Sequence, residues 1–127
     1  MLNKKLNIIF DFQDMIGGAP RSQLEHMMAM KQAGHNVIAT IGKDADLLRQ
    51  KADGVKVFQI DNFSLKTPMK NFKLLKQWNN IIRSVKPDLI HANRIPQFRS
   101  LAVVSDITGV PLVFAQAGGV AGVLQLD

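Results

Sequence analysis

Apolar residues along this chain fall into short runs that alternate with amphipathic stretches. Residues 6–12 read Leu-Asn-Ile-Ile-Phe-Asp-Phe and lead through polar residues to Gly17-Gly18, the profile of a strand covered on both faces. From Ala19 to Ala33 the spacing changes. Leu24, Met27, Met28 and Met30 recur at three- and four-residue intervals, and the stretch stops at Gly34, a residue suited to the position just beyond a helix end. The two patterns then repeat, predicting strands over 36–41, 55–60, 88–92 and 111–115 and helices over 44–52, 69–85 and 96–107.

Strands rich in Val, Ile, Leu and Phe that alternate with helices predict a parallel sheet, because parallel pairs need crossover connections and the crossover helices cover both faces. The expected fold class is α/β, a Rossmann-like doubly wound parallel sheet. Right-handed crossovers leave 3-2-1-4-5 as the expected strand order, with the winding reversing between the first and fourth strands. Ligands of such sheets bind at that reversal. Residues 118–127, Gly-Gly-Val-Ala-Gly-Val-Leu-Gln-Leu-Asp, are apolar and glycine-rich and read as not completing another unit. The expectation is a single domain over 1–127 that belongs to something larger.

Composition narrows the chemistry. A chain of 127 residues can enclose one core, and with no Cys it has no disulfide framework, Cys-ligated metal site or thiol nucleophile. No run approaches the roughly 20 apolar residues of a membrane span, so a cytoplasmic location is expected. The formal charge of +6 is unevenly distributed. Lys66, Lys70, Lys73, Lys76, Arg83, Lys86, Arg94 and Arg99 are offset by one acid, Asp88, over residues 66–99. Within the helix expected at 69–85, Leu74, Trp78, Ile81, Ile82 and Val85 share one arc, and Lys70, Lys73, Lys76, Gln77, Asn80 and Arg83 the other. Two readings stay open for the basic arc: a solvated face, or a surface that meets anionic lipid headgroups. With no Tyr and one Trp there is no aromatic ladder for base stacking, and nucleic acid is not an expected partner.

Two places at the expected reversal could carry chemistry. Gly17 and Gly18 stand where a strand turns into a helix, so backbone N–H groups at the helix start can approach an anion, or the pair only turns the corner. The loop lacks the spacing of a dinucleotide fingerprint and the Gly-Lys-Ser/Thr of a phosphate-binding loop. Arg21, one turn further on, can reach a phosphate or pair with a surface acid. His91 ends the fourth strand in Ile90-His91-Ala92-Asn93-Arg94, where an imidazole can relay a proton, bind a sugar hydroxyl, or close the strand. His26, inside the first helix, and His35, after Gly34, are assigned to packing or capping.

Four short motifs occur in order: Gly17-Gly18-Ala19-Pro20-Arg21, Gly34-His35-Asn36-Val37, Pro87-Asp88-Leu89-Ile90-His91-Ala92-Asn93, and Gly109-Val110-Pro111-Leu112-Val113 with Ala117-Gly118 beyond. Over nearly the whole chain they resemble the N-terminal half of the family 4, GT-B fold glycosyltransferases. Asn93 stands where that family often has a second His, and Ala117 where it has the His of a His-Gly pair. The resemblance implies the acceptor-side half of an enzyme that moves a sugar from a nucleotide-sugar donor to an acceptor hydroxyl, on an envelope polysaccharide or a lipid-linked substrate. It makes His91 the candidate catalytic group, and Gly17, Gly18, Arg21, Asn93 and Gly118 the candidate substrate contacts. No metal or cofactor is expected on this chain. The nucleotide sugar is expected in a C-terminal domain with a Glu-x7-Glu motif, which would be the main partner. An anionic membrane surface meeting Lys70, Lys73, Lys76 and Arg83 is a further candidate partner, giving peripheral association with the inner face of the membrane. Self-association of the chain through its apolar tail is another. The alternative is a non-catalytic Rossmann-like module that binds an anionic or sugar ligand or a partner subunit.

Overall fold

Strand β1 (Asn7–Phe12) is buried from Ile8 to Phe12 because its two faces meet two different cores. The computed structural model describes residues 5–60, 68–93, 95–116 and 120–124. After β1 come α1 (Gly18–Gln32), β2 (Asn36–Ile41), α2 (Ala45–Lys51), β3 (Lys56–Gln59), α3 (Pro68–Val85), β4 (Leu89–Ala92), α4 (Ile95–Thr108), β5 (Leu112–Gln116) and β6 (Val120–Leu124). The order across the sheet is β3-β2-β1-β4-β5-β6, with β1 to β5 parallel to one another. The expected five-strand order 3-2-1-4-5 is therefore present.

The two cores follow from strand alternation. Ile8, Phe10 and Phe12 of β1 join Val37, Ala39 and Ile41 of β2, Met27 of α1 and Leu48 of α2. Ile9 of β1 turns the other way and joins Ile90 of β4, Leu112 of β5, Leu74, Trp78 and Ile81 of α3, and Leu101 and Val104 of α4. Helices thus cover both faces, α1 and α2 on one and α3 and α4 on the other.

Helix ends lie close to where the sequence puts them. Gly34 closes α1 at φ 101, where a Cβ would be strained, and the His35 N–H reaches back to the Met30 carbonyl at 3.1 Å. Pro87 cannot continue α3, and Lys86 before it turns into the left-handed region at φ 53.

The tail departs from expectation. Residues 120–124 form β6, paired antiparallel with β5 from Leu112 opposite Leu124 to Gln116 opposite Val120. The glycines of the segment do not prevent pairing with the edge of β5, and the antiparallel return needs no crossover helix.

Candidate functional site

β1 and β4 are neighbours at the reversal of winding, and their register sets Phe10 opposite His91. The two rings face the same side of the sheet, with centroids 5.0 Å apart and planes tilted by 38°. Above them lies α1, whose buried inward positions are Pro20, Gln23 and Met27. Of the apolar stripe read from the sequence, Met27 is buried while Leu24, Met28 and Met30 are half-buried against the same core, and the fully buried line also includes a polar residue.

That residue, Gln23, is 1% exposed and binds the ends of both strands. Its Nε2 donates to the Asp11 carbonyl at 3.2 Å and to the His91 carbonyl at 2.8 Å, and its Oε1 lies 2.7 Å from His91 Nδ1. His26, one turn further along α1, sets its exposed ring edge-on to His91 with centroids 5.6 Å apart. Burial, and after it the nearby His26, lower the pKa of His91 from 6.5 to about 4. His91 is therefore a neutral imidazole at neutral pH. It can accept or relay a proton and brings no fixed positive charge to the site.

The loop from β1 into α1 is held by carboxylates. Asp14 Oδ1 accepts from the Ile16 N–H at 2.9 Å, and Asp44 Oδ2 from the Met15 N–H at 3.2 Å. Those two amides are spoken for, so an anion at the start of α1 would have to use the N–H groups from Gly17 onward. Gly17 precedes the helix at φ 88, a conformation that favours glycine, whereas Gly18 has an ordinary φ and open space where a Cβ would stand. Asn93 Nδ2 donates to the Ala19 carbonyl, tying the segment after β4 to the first turn of α1. Arg21 is exposed and, among the described residues, has no ion-pair partner.

The structure therefore brings Gly17, Gly18, His91 and Asn93 to one end of the sheet, as the sequence predicts, with Arg21 on the solvent side of α1. Asn93 is in part a structural link. Gly118 lies outside the described residues. His35 has a packing role, its Nδ1 accepting from the Leu6 N–H at 3.0 Å. Gln23 was missed because a polar residue in a helix reads as solvent-facing. Its place between Pro20 and Met27, three and four residues away, was the available signal.

On the other face, α3 buries Leu74, Trp78 and Ile81, packs Ile82 and Val85 against them, and exposes Lys73, Lys76, Asn80 and Arg83. The side chain of Lys70 is outside the described residues. A groove of about 320 Å³ between α3 and α4 is lined by Phe72, Leu75, Trp78, Val104 and Ile107, with Lys76 at its side; Phe72 is 73% exposed. No described helix is long and apolar enough to cross a membrane. Among the described residues, no group of three or more His, Cys, Asp or Glu is placed to hold a metal ion.

A sheet whose first five strands run parallel, covered by helices on both faces and reversing its winding between β1 and β4, defines a domain of the Rossmann-like class. The family model for glycosyltransferase family 4 matches residues 16–116, and the chain belongs to that family. Among solved structures it is similar to MurG of Acinetobacter baumannii, at 16% identity over 87% of this chain and 35% of that one with a TM-score of 0.70. It is also similar to a glycosyltransferase of Rickettsia africae, at 21% identity over 91% of this chain and 30% of that one with a TM-score of 0.68. HepE of Anabaena, solved with UDP and glucose, shares 20% identity over 84% of this chain and 28% of that one with a TM-score of 0.60. The chain spans about a third of the length of these structures. No curated protein matches it significantly in sequence.

Proposed function

We propose that this chain forms the acceptor-side wall of a two-domain glycosyltransferase that moves a sugar from a nucleotide-sugar donor to an acceptor hydroxyl. The observation that carries the reading is His91, a neutral imidazole held at the switch point by Gln23 beside a glycine-led helix start. In that state the ring accepts a hydrogen bond from a sugar hydroxyl, or takes its proton as the oxygen attacks the anomeric carbon. Gly17, Gly18 and Arg21 line the same end of the sheet and are assigned to a phosphate or hydroxyl of the bound substrates; Gly118 is retained as a substrate contact on the strength of its motif. The donor is assigned to a second domain, and the UDP and glucose bound by HepE support a nucleoside diphosphate sugar as its class.

The partner assigned to the basic arc is an anionic membrane, which would bring lipid-linked or envelope acceptors to the cleft. Exposed Lys73, Lys76 and Arg83 on α3, with Lys76 sharing a groove with the exposed apolar side chains of Phe72 and Ile107, support this.

The deciding experiment uses the protein with both domains present. His91→Ala is expected to lower kcat by about a hundredfold or more, in the range for loss of a general acid or base. Unchanged turnover at saturating substrates would remove His91 from the chemistry.

A further inference from the structure

A histidine that accepts a proton must present an unprotonated nitrogen, and a neutral imidazole has only one. Which nitrogen it is depends on the hydrogen bond made by the other. At His91 that bond goes to Gln23, and the amide of Gln23 can be oriented in only one way. Its nitrogen end sits against two backbone carbonyls, Asp11 at 3.2 Å and His91 at 2.8 Å, and each needs a donor. A flipped amide would set a carbonyl oxygen against both and leave buried N–H groups without acceptors. The oxygen end is therefore the atom 2.7 Å from His91 Nδ1, and an amide oxygen only accepts. The proton of the ring must be on Nδ1.

We infer that Gln23 is a positioning residue that locks His91 as the Nδ1–H tautomer and leaves Nε2 as the nitrogen that meets an acceptor hydroxyl. The inference rests on the role proposed above for His91, but the tautomer is a property of the chain that can be read without any activity. Gln23 is suited to the task because it is 1% exposed, so water does not compete for its amide, and because all three of its hydrogen bonds end on the strands that frame the site. Among the described residues no hydrogen bond is made to His91 Nε2, and His26 meets the ring by its edge.

The test is a long-range proton–nitrogen correlation spectrum of the histidine-labelled 127-residue chain at neutral pH. A protonated, pyrrole-type Nδ1 and a pyridine-type Nε2 are expected for His91, and the reverse pattern would overturn the inference. Gln23→Met, similar in length but unable to accept from Nδ1, is expected to give a mixture of tautomers; a folded variant with the native pattern would overturn it too. Should Gln23→Met not fold, the native spectrum still decides, because the reverse pattern there overturns the inference by itself. In the two-domain protein Gln23→Met is expected to lower kcat about tenfold or more with little change in KM. If the tautomer is as expected while His91→Ala is fully active, the proposed role of His91 falls and the control of its tautomer by Gln23 stands.

Discussion

Asp88 and Asn7 are 81 positions apart in the chain and hydrogen-bond each other in both directions. Asp88 Oδ2 accepts from the Asn7 N–H at 2.8 Å, and the Asp88 N–H donates to the Asn7 carbonyl at 2.7 Å. The pair pins the start of β4 to the start of β1 and so sets the register that brings Phe10 opposite His91. Asp88→Ala removes one of the two bonds and leaves a part-buried N–H without its acceptor. It is expected to destabilise the chain by about 1 to 2 kcal/mol, read as a lower urea midpoint at unchanged m-value. A midpoint equal to that of the native chain would show that the side chain is not what aligns the strands.

His91 makes stability depend on pH. Its folded pKa is lowered to about 4 from 6.5, chiefly by burial, so the unfolded chain binds more protons between those values. The contribution is present in full above about pH 6.5 and is lost as pH falls toward 4. The ring is partly exposed, which reduces the effect to about 2 kcal/mol. His26, on α1, is the titratable neighbour that adds to the lowering, and Phe10 packs from β1. Urea titrations at several pH values should show His91→Phe losing less stability than the native chain on acidification. Parallel curves would contradict the shift.

Gly17 and Gly18 should separate folding from ligand contact. Alanine at Gly17 must adopt φ 88 and is expected to cost about 1 to 2 kcal/mol. Alanine at Gly18 meets nothing within 4 Å and is a better helix former, so Gly18→Ala is expected to leave stability unchanged or raise it by about 0.5 kcal/mol. If substrate approaches that backbone as proposed, Gly18→Ala in the two-domain protein raises KM despite the sound fold. Normal kinetics would confine the pair to turning the corner.

The basic arc of α3 can be tested with vesicles. Sedimentation is expected with anionic lipid and not with neutral lipid, and to disappear at high salt. Reversing Lys76 and Arg83 to Glu is expected to weaken binding about tenfold or more, at about 1 kcal/mol per basic residue. Equal binding to both kinds of vesicle, or none, would remove the membrane from the list of partners.

The 127-residue chain by itself is expected to transfer no sugar. Attack requires the donor phosphates to be clamped and the acceptor hydroxyl to be held within about 3 to 3.5 Å of its target, and the function proposed above gives this chain one wall of such a cleft. An assay of the purified chain with nucleotide sugar and acceptor checks this. Transfer without a second domain would mean that the donor site also lies on this chain.

The alternation of apolar runs and amphipathic stretches was enough to predict strands β1 to β5, the four helices, the order of those strands in the sheet and the reversal of winding between β1 and β4. The reason is physical: a parallel strand must be apolar on both faces, a covering helix on one, and crossover handedness leaves few arrangements. Gly17, Gly18 and His91 were legible because they sit at strand ends, where position in the chain implies position in the fold. Three things were decided only by the tertiary structure. Gln23 became a site residue because the strand ends at Asp11 and His91 present carbonyls and a ring nitrogen to that one point of α1. Residues 120–124 became a strand because β5 offered them an edge. His91 acquired its lowered pKa from burial and from His26, 65 positions earlier in the chain. Periodicity records which face of an element is buried. It does not record what that face meets, and hydrogen bonds and proton affinities depend on the meeting.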